Sequence, residues 1–91
     1  MGRFTFDGTI AQWWRGEATQ VLVRPDDEEG FLRRCNEAGI TSRHDWYDER
    51  PMPTIGRQDL VARCEGAERV RCTIEGTPTG RMRLLDVEPI G

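Results

Sequence analysis

The residues best suited to chemistry lie in one short segment, Arg43 to Glu49. His44, the only histidine of the chain, stands here among the carboxylates of Asp45, Asp48 and Glu49. Histidine beside acids is a common catalytic or metal-binding combination. However, no nucleophile or oxyanion donor accompanies it, and the acids match no known metal-binding spacing. We therefore predict no enzymatic activity, no metal site and no cofactor; a small enzyme or metal protein that uses His44 is the least favoured alternative.

The three cysteines form no recognisable metal or redox motif. Cys35, Cys64 and Cys72 are odd in number, and none belongs to a CxxC pair. A zinc site built from these thiols and His44 would match no known ligand spacing. Cys64 and Cys72 alternate with polar residues among apolar neighbours, which predicts small buried side chains in a protein of a reducing compartment.

A tryptophan pair beside arginine forms the first candidate contact surface. Adjacent residues of a strand point to opposite faces. Trp14 shares its phase with Phe6 and Ile10, so we predict that Trp14 is buried and that Trp13 projects outward beside Arg15. Aromatic rings beside arginine are typical of protein interfaces and of surfaces that stack nucleic-acid bases. The alternative is that Trp13 packs beneath the long loop.

The second candidate contact surface is the segment that contains the histidine. Its aromatic residues, Trp46 and Tyr47, are flanked by charged side chains, a combination that protein-binding loops use. The alternative is an ordered loop in which Trp46 covers the open end of a barrel, and one loop can do both. The predicted binding residues are thus Trp13, Arg15, Arg43, His44, Asp45, Trp46, Tyr47, Asp48 and Glu49.

Charge favours a protein partner over a nucleic acid. The net charge is −3, and residues 25–50 carry four arginines against eight acids. Nucleic-acid-binding domains usually carry the opposite charge. The acidic run Asp26–Glu29 suits a helix N-terminus, and with the acids of residues 45–49 it would form a negative surface for a partner with a basic surface. All thirteen basic residues are arginine, which is typical of a high-GC genome.

Arginines near the end of the chain are the residues that would contact the phosphates of a nucleic acid. Acidic residues are interleaved with them, so we predict ion pairs within the sheet rather than a stripe that binds phosphates. The arginines concerned are Arg63, Arg69, Arg71, Arg81 and Arg83.

The most regular stretch of the chain, Asp59 to Gly76, contains two alternating runs of apolar and polar residues. Period-two alternation predicts two strands, which the loop Gly66-Ala67-Glu68 joins into a hairpin. In this register Leu60 would face Ile74, Ala62 would face Cys72, Cys64 would face Val70 and Glu65 would face Arg69.

Three further strands and one helix are predicted. The strands are Arg3–Trp14 with a bend or bulge at Gly8, Ala18–Arg24, and Arg81–Ile90 with a bulge at Leu84-Leu85. The helix spans Asp26–Ala38, with Asp26 as its N-cap, Gly39 as its left-handed terminator and Ile40 as the hydrophobic contact that follows. Residues 41–57 have no usable period and are predicted to form a long irregular loop.

These elements predict a single α+β domain over residues 1–91, mainly β. About five antiparallel strands would form a small curled sheet or partly open barrel with one helix after the second strand, an outline similar to OB-type and SH3-type barrels in strand count and bends only. No membrane span or signal sequence is present, so a cytoplasmic protein is expected. We expect a small non-enzymatic module that binds another protein, as an accessory or inhibitor protein that occupies a partner's surface. This partner could be a nucleic-acid-binding protein. The alternative is an OB-type protein that binds single-stranded nucleic acid, and a homodimer through the last strand is a further option.

Overall fold

A five-stranded antiparallel sheet curls into a half-barrel around one core. The computed structural model describes residues 2–42 and 52–91. Within them the elements are β1 (Arg3–Trp14), β2 (Gln20–Pro25), α1 (Glu28–Glu37), β3 (Thr54–Ile55), α2 (Gln58–Arg63), β4 (Arg69–Gly76) and β5 (Met82–Pro89). The strand order is β3-β2-β1-β4-β5. The predicted α+β fold with five antiparallel strands in a curled sheet is therefore confirmed.

Strand β1 belongs to two halves of the sheet, which accounts for the curl. Residues 3–9 pair with β4, whereas residues 8–14 except Ala11 pair with β2, so the two sets of pairs overlap at Gly8 and Thr9. A Cβ atom at Gly8 would lie 2.7 Å from the carbonyl oxygen of Arg24. Glycine thus permits the close approach of β2 where the sheet turns, as the bend predicted at Gly8 requires.

The core lies between the concave face of the sheet and the two helices. The apolar side chains of β1, β2, β4 and β5 meet α1 through Phe31 and Cys35 and α2 through Leu60, Val61 and Cys64. The rings of Phe6 and Phe31 stack edge to face with their centroids 4.7 Å apart. No charged residue among those described is buried, so apolar burial supplies most of the stabilisation.

Helix α1 has well-defined ends. The side chain of Asp27 accepts a 3.0 Å hydrogen bond from the Gly30 N–H, so the N-cap is one residue later than predicted. At the other end Gly39 has φ of 78°, and the Ile40 N–H donates to the carbonyl oxygen of Cys35 at 2.8 Å. This hydrogen bond defines a Schellman motif and confirms the predicted terminator.

The predicted hairpin at Asp59–Gly76 is wrong in its first half. Residues 58–63 form α2, and β4 pairs with β1 and β5 instead. Leu60, Val61 and Cys64 are all buried while Ala62 is exposed, which is a helical spacing rather than a two-residue period. The short apolar run Leu60–Cys64 fits the spacing of a strand and that of a helix. The helix forms because α2 packs its apolar residues on the core. The fifth strand is instead β3, inside the predicted loop 41–57.

Helix α2 bridges the two edges of the half-barrel. It follows β3 at one edge and packs against β5 at the other. The guanidinium of Arg63 forms an ion pair with Asp86 and lies 3.5 Å from the carbonyl oxygen of Val87. Arg63 therefore occupies part of the β5 edge that a homodimer through the last strand would need, and that homodimer stays a prediction.

The predicted bulge in β5 is confirmed, because Thr73 pairs with Asp86 and Ile74 pairs with Leu84, which leaves Leu85 as the extra residue. Of the predicted loop 41–57, residues 43–51 lie outside the described residues. In the part of the chain that the structure describes, no helix is long and apolar enough to cross a membrane.

Candidate protein-binding surface

A bulge near the end of β1 decides which tryptophan faces the core. Ile10 pairs with Val23 and Gln12 pairs with Leu22, so Ala11 is an extra residue in β1. The bulge shifts the phase of the strand, and Trp13 therefore packs against the core. The prediction that Trp14 is the buried residue of the pair is wrong, since both rings are half-buried and it is Trp13 that contacts the core cluster.

Trp13, Arg15 and Glu65 form a compact cluster at the surface. The guanidinium carbon of Arg15 lies 4.2 Å from the centre of the Trp13 ring, a cation–π contact. The same guanidinium donates to both carboxylate oxygens of Glu65, at 2.9 and 3.4 Å. This hydrogen bonding lowers the pKa of Glu65 and raises the pKa of Arg15. Trp13 and Arg15 thus lie together, and Glu65 fixes the arginine over the ring.

A largely apolar groove of about 360 Å³ begins beside this cluster. Three half-buried side chains that also pack on the core, Ile10, Trp13 and Ala67, form its apolar surface. Glu68 lies at its rim, exposed and without an ion pair among the residues described. The complete lining comprises Thr9, Ile10, Ala11, Gln12, Trp13, Ala67 and Glu68. We call the groove together with Arg15 and Glu65 the β1 groove.

The second predicted contact surface lies outside the described residues. It comprises Arg43, His44, Asp45, Trp46, Tyr47, Asp48 and Glu49.

The cysteines are core residues. Cys35, Cys64 and Cys72 are buried, and burial raises the pKa of the Cys35 and Cys72 thiols to about 12. Among residues 2–42 and 52–91, no three His, Cys, Asp or Glu side chains are grouped so as to hold a metal ion.

Most arginines of the described residues are paired with carboxylates. The predicted intrasheet pairing is present for Arg83 with Glu75 and for Arg71 with Asp7, at 3.4 and 2.8 Å. The predicted contact of Glu65 with Arg69 is absent, because α2 replaces the first strand of that hairpin. Further pairs are Arg3–Glu75, Arg15–Glu65, Arg57–Asp59, Arg63–Asp86 and Arg69–Asp26.

A larger groove of about 560 Å³ separates α1 from β1 and β4, but its charged groups other than Arg33 already have structural partners. Asp26 accepts two hydrogen bonds from Arg69, at 3.1 and 2.5 Å, and Asp7 accepts two from Arg71. Asp27 caps α1. Asp26 and Asp27, half of the acidic run at residues 26–29, therefore already have partners within the fold. This leaves a smaller negative surface than the sequence predicted.

No local sequence pattern identifies Glu65, Ala67 and Glu68 as part of this site. Glu65 lies fifty positions from Arg15, and no local pattern connects the two residues. Glu68 reaches β1 because its carbonyl oxygen accepts a hydrogen bond from the Ile10 N–H at 2.9 Å. Only the pairing of β1 with β4 brings these positions together.

No family model matches the sequence, and comparison with curated proteins and with solved structures also gives no match.

Proposed function

We propose that this chain is a small non-catalytic module that binds another protein through the β1 groove. The observation that carries the proposal is the cluster of Trp13, Arg15 and Glu65 at one end of a largely apolar groove. Tryptophan and arginine dominate the binding energy of many protein interfaces, above all where a fixed side chain adjoins an apolar pocket. The module would act by occupying its partner's surface, as an accessory or inhibitor protein does, without making or breaking a covalent bond.

The state of Arg15 supports a preformed contact surface. Its two hydrogen bonds to Glu65 hold a side chain that would otherwise lose rotamer freedom on binding. Immobilising a flexible side chain costs about 0.5–1.5 kcal/mol on association, so an arginine that is already held reduces this cost. Its side chain keeps a relative exposure of 57%, so a partner can still reach the guanidinium.

Affinity capture from cells that produce the protein tests the proposal with two matched variants. Arg15→Ala removes the arginine of the cluster, whereas Arg83→Ala removes an arginine of similar exposure that also pairs with a glutamate, far along the sheet. We expect a protein in near-stoichiometric amount on the wild type and on Arg83→Ala, and about tenfold less on Arg15→Ala, as is typical of a binding hot spot. Equal recovery on all three would contradict the proposed surface.

The alternative function is an OB-type protein that binds single-stranded nucleic acid. Two observations weigh against it. One face of the Trp13 ring is covered by Arg15 and the ring also packs against the core, so a base has little surface on which to stack. Seven arginines of the described residues are paired with carboxylates, which lowers the positive potential that would attract phosphates.

A tryptophan-fluorescence titration with a mixed-sequence single-stranded oligonucleotide decides between the two functions. The proposed function predicts no quenching at low or moderate salt. Saturable quenching that weakens as salt rises would favour the nucleic-acid-binding alternative, because released counterions make such binding salt-dependent.

A further inference from the structure

We propose that the β1 groove takes an extended strand of the partner, which adds to the open edge of β1 and alternates apolar with basic side chains. This inference rests on the proposed function and specifies the mode of binding. Addition of a strand to a sheet edge combines main-chain hydrogen bonds with pockets for alternate side chains.

The open edge exists because β4 is shorter than β1 on this side. Strand β4 begins at Arg69, and the last hydrogen bond across the pair runs from the Ile10 N–H to the Glu68 carbonyl oxygen. Beyond Ile10, β1 continues for four residues to Trp14 with β2 as its neighbour on the other side. Among residues 2–42 and 52–91, no strand pairs with this edge of β1 beyond Ile10.

The register shows which backbone groups point to that edge. The Val23 N–H donates to Pro53 on the β3 side of β2, so the alternate residue Leu22 directs its backbone groups toward β1. Leu22 is opposite Gln12, and the following residue Trp13 therefore points its N–H and C=O away from β2. Among the described residues neither backbone group has a partner.

The groove lies directly against this edge and supplies the side-chain recognition. Its half-buried surface of Ile10, Trp13 and Ala67 suits apolar side chains on one face of an added strand. Glu68 at the rim has no ion pair among residues 2–42 and 52–91, whereas the carboxylate of Glu65 is already held by Arg15. A lysine or arginine of the added strand would complete the pairing of Glu68, so the preferred sequence alternates apolar and basic residues.

The experiment titrates the isotope-labelled chain with short peptides and follows its amide resonances by NMR. The first probe is a hexapeptide, blocked at both ends, in which valine alternates with arginine; in the second, glutamate replaces arginine. We expect saturable shifts at Trp13, Ala67 and Glu68 with the arginine peptide, and binding at least about tenfold weaker with the glutamate peptide. We also expect the exchange of the Trp13 amide proton to slow on binding.

Charge reversal tests the role of Glu68. Glu68→Arg should reverse the preference between the two peptides, so that the glutamate peptide binds better than the arginine peptide. Glu37→Arg is the control, because Glu37 is an exposed glutamate on α1 outside the β1 groove. It should leave the preference unchanged, and an equal effect of the two variants would overturn the assignment.

Backbone methylation tests strand pairing itself. Alternate amides of a strand point to opposite edges, so methylation of the valine amides blocks one edge of the peptide and methylation of the arginine amides blocks the other. We expect one isomer to bind and the other to fail. Equal binding of both isomers, shifts away from the β1 groove, or no saturable shift with any peptide would each overturn strand addition.

The outcomes separate this inference from the proposed function. A protein captured in an Arg15-dependent manner together with failure of the peptides would refute strand addition and leave the protein-binding function intact. If neither Arg15-dependent capture of a protein nor binding of the peptides were seen, both the proposed function and strand addition would be refuted.

Discussion

Replacement of Gly8 by alanine tests the geometry that makes the sheet curl. The Cβ of Gly8→Ala would lie 2.7 Å from both the Arg24 carbonyl oxygen and a methyl carbon of Val23. Ordinary van der Waals contact begins near 3.4 Å, so β1 and β2 would have to move apart by about 0.7 Å beside Gly8. Overpacking of this kind costs about 1–3 kcal/mol, of which the better strand propensity of alanine offsets about 0.5–1 kcal/mol.

Gly56→Ala provides the matched control. No atom of residues 2–42 or 52–91 lies within 4 Å of a Cβ placed at Gly56, and the φ of Gly56 is not in the left-handed region. Alanine there should raise the free energy of unfolding by about 0.4–1 kcal/mol through the unfolded chain. The two variants should therefore differ by about 2 kcal/mol, or by roughly 10 °C in Tm for a domain of this size.

Urea denaturation followed by tryptophan fluorescence measures the difference. We expect a lower midpoint for Gly8→Ala and an unchanged or higher midpoint for Gly56→Ala, with similar m-values for both. Equal stability of the two variants would refute the close approach of β1 and β2 at Gly8.

Two further predictions concern titratable groups. The thiols of Cys35 and Cys72, whose pKa burial raises to about 12, should resist alkylation at pH 8 until the protein unfolds, as mass spectrometry would show; fast alkylation of the native protein would contradict their burial. The hydrogen bond from Arg57 lowers the pKa of Asp59 from 3.8 to about 2, so the pair stabilises the fold above pH 4 and this contribution is lost as the pH falls toward 2. The midpoints of the wild type and Asp59→Asn should accordingly converge between pH 4 and pH 2, and a constant difference would refute the pairing.

Local patterns predicted much of the fold. The bounds of β1 are as predicted, and the end of α1 follows from Gly39 and Ile40, because a left-handed glycine and the apolar residue after it are local signals. The bulge at Leu85 was visible as a change of phase within β5. Each of these features depends on residues close together in the sequence.

Features that depend on tertiary contacts were not predictable in this way. Leu60, Val61 and Cys64 fit a strand or a helix equally until the core they join is known. The bulge at Ala11 changes the orientation of Trp13, yet Ala11 carries no signal of its own. The candidate site shares this property, since Arg15 meets Glu65 only through the pairing of β1 with β4 and the turn that precedes β4.

Site-specific photo-crosslinking tests the central claim most directly. Gln12 lines the β1 groove, is exposed and does not belong to the cluster of Trp13, Arg15 and Glu65, so a photoreactive residue at this position reaches the groove without replacing a side chain of the cluster. Arg83 serves as the control position, far along the sheet. The account predicts that a crosslinker at Gln12 joins the chain to one protein in the cells that produce it, and that a crosslinker at Arg83 does not. A crosslink from Arg83 alone, equal crosslinks from both positions, or none from either would contradict it.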